Sequence, residues 1–81
     1  MVVSVNFFGL QRKMTQIDQI QVSLLNGKRV TDLMQYIKKQ FPDLLLNEEA
    51  VLVTVNNRVS STKHLLEADD QISFVPHIGG G

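Results

Sequence analysis

The last five residues, His77-Ile78-Gly79-Gly80-Gly81, are the part of this 81-residue chain whose types and spacing point to chemistry. Three successive glycines add nothing to a core and lose the most conformational entropy on ordering. Their use is steric: a backbone without Cβ atoms can enter a narrow channel and approach another molecule closely. A five-residue tail reaches about 17 Å at ~3.3 Å per residue. It presents the α-carboxylate of Gly81 as the candidate reactive group, with Gly80 beside it. His77 is the one tail side chain able to exchange a proton, and it either tunes the tail or is simply solvated. A frayed end or an expression remnant is the plain alternative, but the Ser, Leu-Glu or His runs that usually accompany a remnant are absent.

The rest of the chain offers little chemistry of its own. There is no cysteine, hence no thiolate nucleophile, sulfur ligand or disulfide framework. Ser60, Ser61, His64 and His77 form no recognisable nucleophile arrangement. His64 has no second His or Cys near it in sequence and reads as a loop hydrogen-bonding residue, so no metal site is expected. Asp43, Glu48 and Glu49, like Asp69 with Asp70, lack calcium-loop spacing and read as solvated surface. Arg12, Lys13, Arg58 and Lys63 are dispersed; they read as ordinary surface, or as a rim for an acidic partner. Eight basic residues balance eight acidic ones. This argues against a nucleic-acid groove or an anionic membrane patch. No apolar run approaches the ~20 residues of a membrane span. The N-terminus lacks the features of a signal peptide, so a single soluble domain in a reducing compartment, the cytoplasm, is expected.

Such a tail needs a body to hold it. Residues 2–8 are β-branched and aromatic and end at Gly9, which predicts a strand. Residues 10–17 show no clear period and read as a loop. Residues 18–25 alternate, with Ile20, Val22 and Leu24 on one face, before the turn signal Asn26-Gly27. Thr31 is the expected N-cap of the one good helix, with Asp32 beside its positive end. Leu33, Met34, Ile37 and Phe41 recur at helical spacing, and Pro42 stops it. Leu44-Leu45-Leu46 lies in a loop with buried anchors. Residues 51–55 are a continuous apolar strand of the sheet-interior kind, turned by Asn56-Asn57 into a short strand at 58–60. A polar stretch carrying Leu65 and Leu66 leads to a last strand at 71–75, which Pro76 ends. In this strand Ile72 and one of Phe74 or Val75 face the core. The order predicts an α+β fold: a mixed sheet with one main helix packed on one face, with first and last strands paired if both are central, which is a β-grasp arrangement. Residues 1–76 would be the domain and 77–81 a tail, disordered in the free protein and ordered on binding a partner.

The sequence resembles the ubiquitin-like sulfur carrier family (the MoaD/ThiS group), and within it the molybdopterin synthase small-subunit type. Phe7-Phe8-Gly9 followed by Arg12, Val55-Asn56, His64 with Leu66, and Asp70-x-Ile72-x-Phe74 all match family patterns. So does the ending Phe74-x-Pro76-x-Ile78-Gly79-Gly80-Gly81, in which Gly80-Gly81 is the reactive pair. Two departures stand out: Lys13 follows Arg12 where the family often has Glu, and Asp69 occupies a turn position that often holds Gly. Asp tolerates the left-handed region better than most residues.

The resemblance implies a ubiquitin-like β-grasp fold and a definite mechanism. An E1-like adenylating enzyme (MoeB type) uses ATP to adenylate Gly81. A sulfur donor protein supplies the sulfur that leaves a C-terminal thiocarboxylate. The large synthase subunit (MoaE type) receives the tail, and the sulfur is built into the molybdopterin dithiolene. The chain would then bind no cofactor and catalyse nothing alone. Gly81 and Gly80 would be the reacting end, and Pro76, His77, Ile78 and Gly79 the segment a partner grips. Phe7, Phe8 and Phe74 are candidates both for the core and for an apolar docking patch on the sheet face opposite the helix. Other readings are a thiazole-pathway carrier (ThiS type), a protein modifier joined to lysines through Gly81, and a plain interaction module.

Overall fold

The valine-rich start of the chain forms the first of five strands, in a computed structural model that describes residues 1–76. In chain order the elements are β1 (Val2–Asn6), α1 (Gly9–Thr15), β2 (Gln19–Ser23), α2 (Val30–Gln40), β3 (Val51–Val55), β4 (Arg58–Ser60) and β5 (Gln71–Pro76). They make one mixed sheet of order β2-β1-β5-β3-β4. The first and last strands are central neighbours and run parallel, with Val5 opposite Ile72; the other pairings are antiparallel. This is the ubiquitin-like β-grasp arrangement.

Alternation along the strands sends one set of side chains under α2. Val3, Val5, Val22, Val53, Val55, Ile72 and Phe74 meet Val30, Leu33, Met34 and Ile37 of the helix in a single buried cluster. Leu44 and Leu46 close it from the loop before β3, whereas Leu45 points outward. Phe7 packs edge-to-face on Phe41, ring centroids 5.6 Å apart at 79°, which joins the end of β1 to the end of α2.

Three local expectations are corrected. Residues 9–15 are a helix, not a loop. Leu, Gln, Arg, Lys and Met are all good helix formers, but a seven-residue helix with only Gln11 buried is too short to show a period. At α2 the N-cap is Arg29, and Thr31 lies inside the helix. The Arg29 N–H donates to Asp32 Oδ2 (2.8 Å). The free N–H groups of Val30 and Thr31 donate to the carbonyls of His64 (3.0 Å) and Thr62 (2.9 Å). The Thr31 hydroxyl donates to Thr62 O as well, so tertiary carbonyls replace the hydroxyl cap. Finally, β3 lies inside the sheet but alternates in burial, because only one sheet face is covered: Leu52 is exposed and Thr54 half-buried.

The turns are as expected. Asn56 and Asn57 take φ of 53° and 67°, and Asp69, standing where the family often has Gly, takes 69°. Among the described residues no helix is long and apolar enough to cross a membrane.

Candidate functional site

The site is the end of β5, from which the tail departs. The tail residues His77, Ile78, Gly79, Gly80 and Gly81, with the expected boundary after 76 and the expected disorder of the tail, lie outside the described residues. What can be built from the structure is the root.

At its start, β5 is tied down by residues that carried the family resemblance. The Asn56 amide donates through Nδ2 to Asp70 Oδ1, and its Oδ1 accepts from the Gln71 N–H, both at 2.9 Å. The Asn56 N–H donates to Gln71 O (2.8 Å). Asp70, buried, also accepts from the Glu67 N–H through Oδ2 (2.8 Å), and its carbonyl accepts from the Ser4 N–H (2.9 Å). Asn56 and Asp70 therefore act together to lock the β3–β4 turn and the turn before β5 onto one another. In this chain their role is structural.

Along its length, β5 is held on both sides as far as Ser73 and on the β3 side to Pro76, which pairs with Val51. On the other side β1 has already ended, since its last partner is Asn6 opposite Ser73. There the buried side chain of Gln11, carried by α1, donates from Nε2 to Phe74 O (2.5 Å). No motif flagged Gln11; the cue in the sequence was the helix-forming run around it.

Two surfaces flank the root. On the uncovered sheet face the register sets Leu52 opposite Val75 and Thr54 opposite both Ser73 and Val59. Phe8, just past β1, keeps an extended backbone (φ −127°, ψ 152°) and so continues the outward parity of the strand. Phe8, Leu52, Val59 and Val75 are all exposed, 53%, 37%, 69% and 37% respectively, forming an apolar patch in place of the polar face a solvated sheet would carry. Towards β2 this face is polar apart from Val2: Gln19 Nε2 donates to Asn6 Oδ1 (2.7 Å), beside Gln71. The three expected phenylalanines divide accordingly. Phe8 lies on the patch. Phe7 and Phe74 are core residues, 2% and 0% exposed, so they are corrected from docking residues to packing residues. Alternation within β5 turns Phe74 inward and gives the outward place to Val75.

On the helix side, Leu10, Gln11 and Met14 of α1 face Leu44, Leu45 and Ala50 across a cleft of about 570 Å³ that Pro76 also lines, with Asp43 and Glu49 among the lining residues. Pro76 is exposed there, at the base of the tail.

The remaining candidates are not gathered into a site. The Ser61 Oγ accepts from the Lys63 N–H (3.0 Å), a local turn contact. His64 shares a polar pocket with Arg58, Glu67 and Asp70. Among the described residues, no three His, Cys, Asp or Glu side chains are grouped to hold a metal ion. Glu48 accepts from the Thr62 hydroxyl (3.0 Å), and Arg12 approaches Asp18 at 3.7 Å with both side chains largely exposed.

This geometry, a rigid sheet whose central strand feeds a glycine-ended tail, has counterparts among known proteins. The molybdopterin synthase sulfur carrier subunit of Mycobacterium tuberculosis is 26% identical over 80 residues, covering 98% of this chain and 96% of that one. A solved structure of molybdopterin converting factor subunit 1 from Pyrococcus furiosus superposes with a TM-score of 0.83 at 27% identity, covering 95% of this chain and 98% of that one. The fold recurs, with a TM-score of 0.67 at 21% identity and complete coverage of both chains, in a complex of subunits 1 and 2 of molybdopterin-converting factor from Helicobacter pylori. The model of the ThiS family matches residues 5–81, the glycine end included, and the chain belongs to that family.

Proposed function

We propose that this chain is the sulfur carrier subunit of a molybdopterin synthase. The observation that carries the reading is positional: β5, central in the sheet, ends at Pro76, five residues short of Gly81, in a chain that matches a sulfur carrier family through that glycine. The body supplies a rigid root and a docking face, and the chemistry belongs to the terminal carboxylate.

In this reading an activating enzyme joins the Gly81 carboxylate to the AMP moiety of ATP and releases pyrophosphate. A donor's sulfur then displaces AMP, leaving a thiocarboxylate. The large synthase subunit receives the tail and transfers that sulfur to a pterin precursor to form the dithiolene. The body needs neither a thiol nor a cofactor of its own, because the sulfur rides on a main-chain acyl group. The patch of Phe8, Leu52, Val59 and Val75 is the surface that meets these partners: it is apolar, exposed and on the same side of the sheet as the outward face of the tail-bearing strand. In this reading the reaction runs in the cytoplasm, where the chain would meet its activating enzyme and ATP.

The test is to incubate the protein with its host's activating enzyme, ATP and a sulfur donor, then record intact mass. Replacement of the terminal OH by SH is expected, and deletion of Gly81 should abolish it. An unchanged mass, with deletion of Gly81 harmless in cells, refutes the carrier role. Lysine conjugates in extract point to a modifier. A deletion strain that lacks thiamine rather than molybdenum cofactor points to the thiazole route.

A further inference from the structure

We infer that Gln11 is a positioning residue for the tail: its side-chain amide takes the place of the missing β1 residue at the end of β5 and fixes the direction in which the chain leaves the body. This rests on the carrier reading above and names the device that aims Gly81.

The geometry begins with parity. In a strand, the N–H and C=O of one residue point to the same edge, and residues two apart share that edge. Gln71 O accepts from the Asn56 N–H, so Gln71, Ser73 and Val75 address β3. Phe74 and Pro76 therefore address the β1 side, where β1 has ended. A carbonyl left there beneath α1 would be an unpaired acceptor, which is costly when buried. Gln11 Nε2 supplies the donor. A primary amide can do more than that. It carries one donor and one acceptor in a plane, like a peptide group, and could bind C=O of residue 74 and N–H of residue 76 together. Residue 76 is proline and has no N–H. Accordingly Gln11 Oε1 is the one buried side-chain polar atom without a partner among the described residues. The latch has one bond where two were geometrically available.

Two consequences follow for the tail. Gln11 supplies the β1-side partner of the last rung of β5, so the strand is held on both edges through Phe74. Pro76 offers no donor to this edge, so Gln11 holds it through the single bond to Phe74 O. Because Gln11 sits on α1, the same bond seats the wall of Leu10 and Met14 beside Pro76.

The experiment measures single-turnover adenylation by the activating enzyme, separating the rate at saturation from the half-saturating concentration. Gln11→Met keeps length and bulk but removes the amide. The body still docks through the sheet face, so the half-saturating concentration should stay within about twofold. The saturating rate should fall about fivefold, the weight of one ordinary hydrogen bond, because the carboxylate is aimed correctly for less of the time. Asp32→Ala, which weakens the fold at the far end of α2, should leave that rate unchanged. A second measurement needs no activity. In Pro76→Ala the new amide should be protected from hydrogen exchange by Gln11 Oε1, and Gln11→Met in the same background should remove the protection. An unprotected amide, or a saturating rate that is the same in wild type and Gln11→Met, overturns the inference and leaves the carrier reading intact. A rate loss matched by Asp32→Ala reduces Gln11 to a stability role and also overturns it. A wild-type protein that is not adenylated at all sinks the carrier reading itself, and the aiming role with it.

Discussion

Asn56 is the residue whose replacement tests how β5 is anchored. Asn56→Ala removes two side-chain hydrogen bonds of 2.9 Å, one to Asp70 and one from the Gln71 N–H. Each is worth about 0.5–1.5 kcal/mol net, and the side on Asp70 falls towards the upper end because a charged, buried acceptor loses a donor. Alanine must also adopt the φ of 53° that Asn56 holds. An ordinary side chain pays roughly 1 kcal/mol more than Asn in that left-handed region. The sum is about 2–4 kcal/mol. A chain of 81 residues has about 4–12 kcal/mol of stability in total at ~0.05–0.15 kcal/mol per residue. The melting temperature should therefore fall by roughly 8–32 °C, at ~4–8 °C per kcal/mol for a domain of this size. Urea unfolding of the wild type, Asn56→Ala and Asn56→Gly measures it, with the slope checked for constancy. Glycine loses the same bonds but accepts the positive φ, so it should be less destabilised than alanine. If both variants cost under about 0.5 kcal/mol, the Asn56–Asp70 network does not anchor the strand and the reasoning fails.

The paired phenylalanines should separate folding from docking. Phe7→Ala empties a core position and the contact with Phe41, costing about 3–5 kcal/mol in denaturant titration, whereas Phe8→Ala should leave stability within about 0.5 kcal/mol and weaken co-purification with the large synthase subunit; equal loss of both properties in Phe8→Ala would remove it from the docking face. Val75→Glu, a charge on the same patch, should abolish that co-purification with little change in melting temperature. Asp32→Ala should cost about 1 kcal/mol by leaving the Arg29 N–H without its acceptor. Arg12→Ala should shift stability by less than about 0.5 kcal/mol, since the ion pair with Asp18 is largely exposed; a larger loss would reveal a structural contact beyond that pair.

Elements whose period is long enough were legible in the sequence, and so was the order that makes β1 and β5 central. Val22, Leu33, Ile37 and Ile72 are buried where alternation and helical spacing put them. The misses share a cause, which is tertiary substitution for a local signal. Thr31 has the right side chain for a cap, but the carbonyls of Thr62 and His64 reach the helix first. Helix α1 carries no stripe because its principal tertiary tie is one polar side chain, Gln11, to a strand 63 residues away. Phe74 could be assigned a face only after the register of β5 was known, since Val75 is equally apolar. Within the family motifs, Asn56 and Asp70 serve the turn geometry and not the chemistry.

Placing the tail on β5 rather than on an edge strand has a mechanical reason. A partner that draws the tail into its own site pulls on Pro76. On an edge strand that pull would peel one ladder, bond by bond. On β5 it is resisted on the β3 side by the pairs whose backbone groups face each other, Leu52–Val75 and Thr54–Ser73, and by β1 as far as Ser73. Past that point the β1 side is held by the amide of Gln11 alone. The outermost rung of the root is thus its least redundant part, and a hydrogen-exchange profile of the free protein should show it. Gln11 holds the Phe74 carbonyl, so its loss is read as fraying: protection of the Phe74 and Val75 amides should be lower than at Val3 and Val5 in the wild type and fall further in Gln11→Met, while Val3 and Val5 keep theirs. Uniform protection in both proteins would mean that β5 holds its own end and that α1 contributes nothing to aiming the tail.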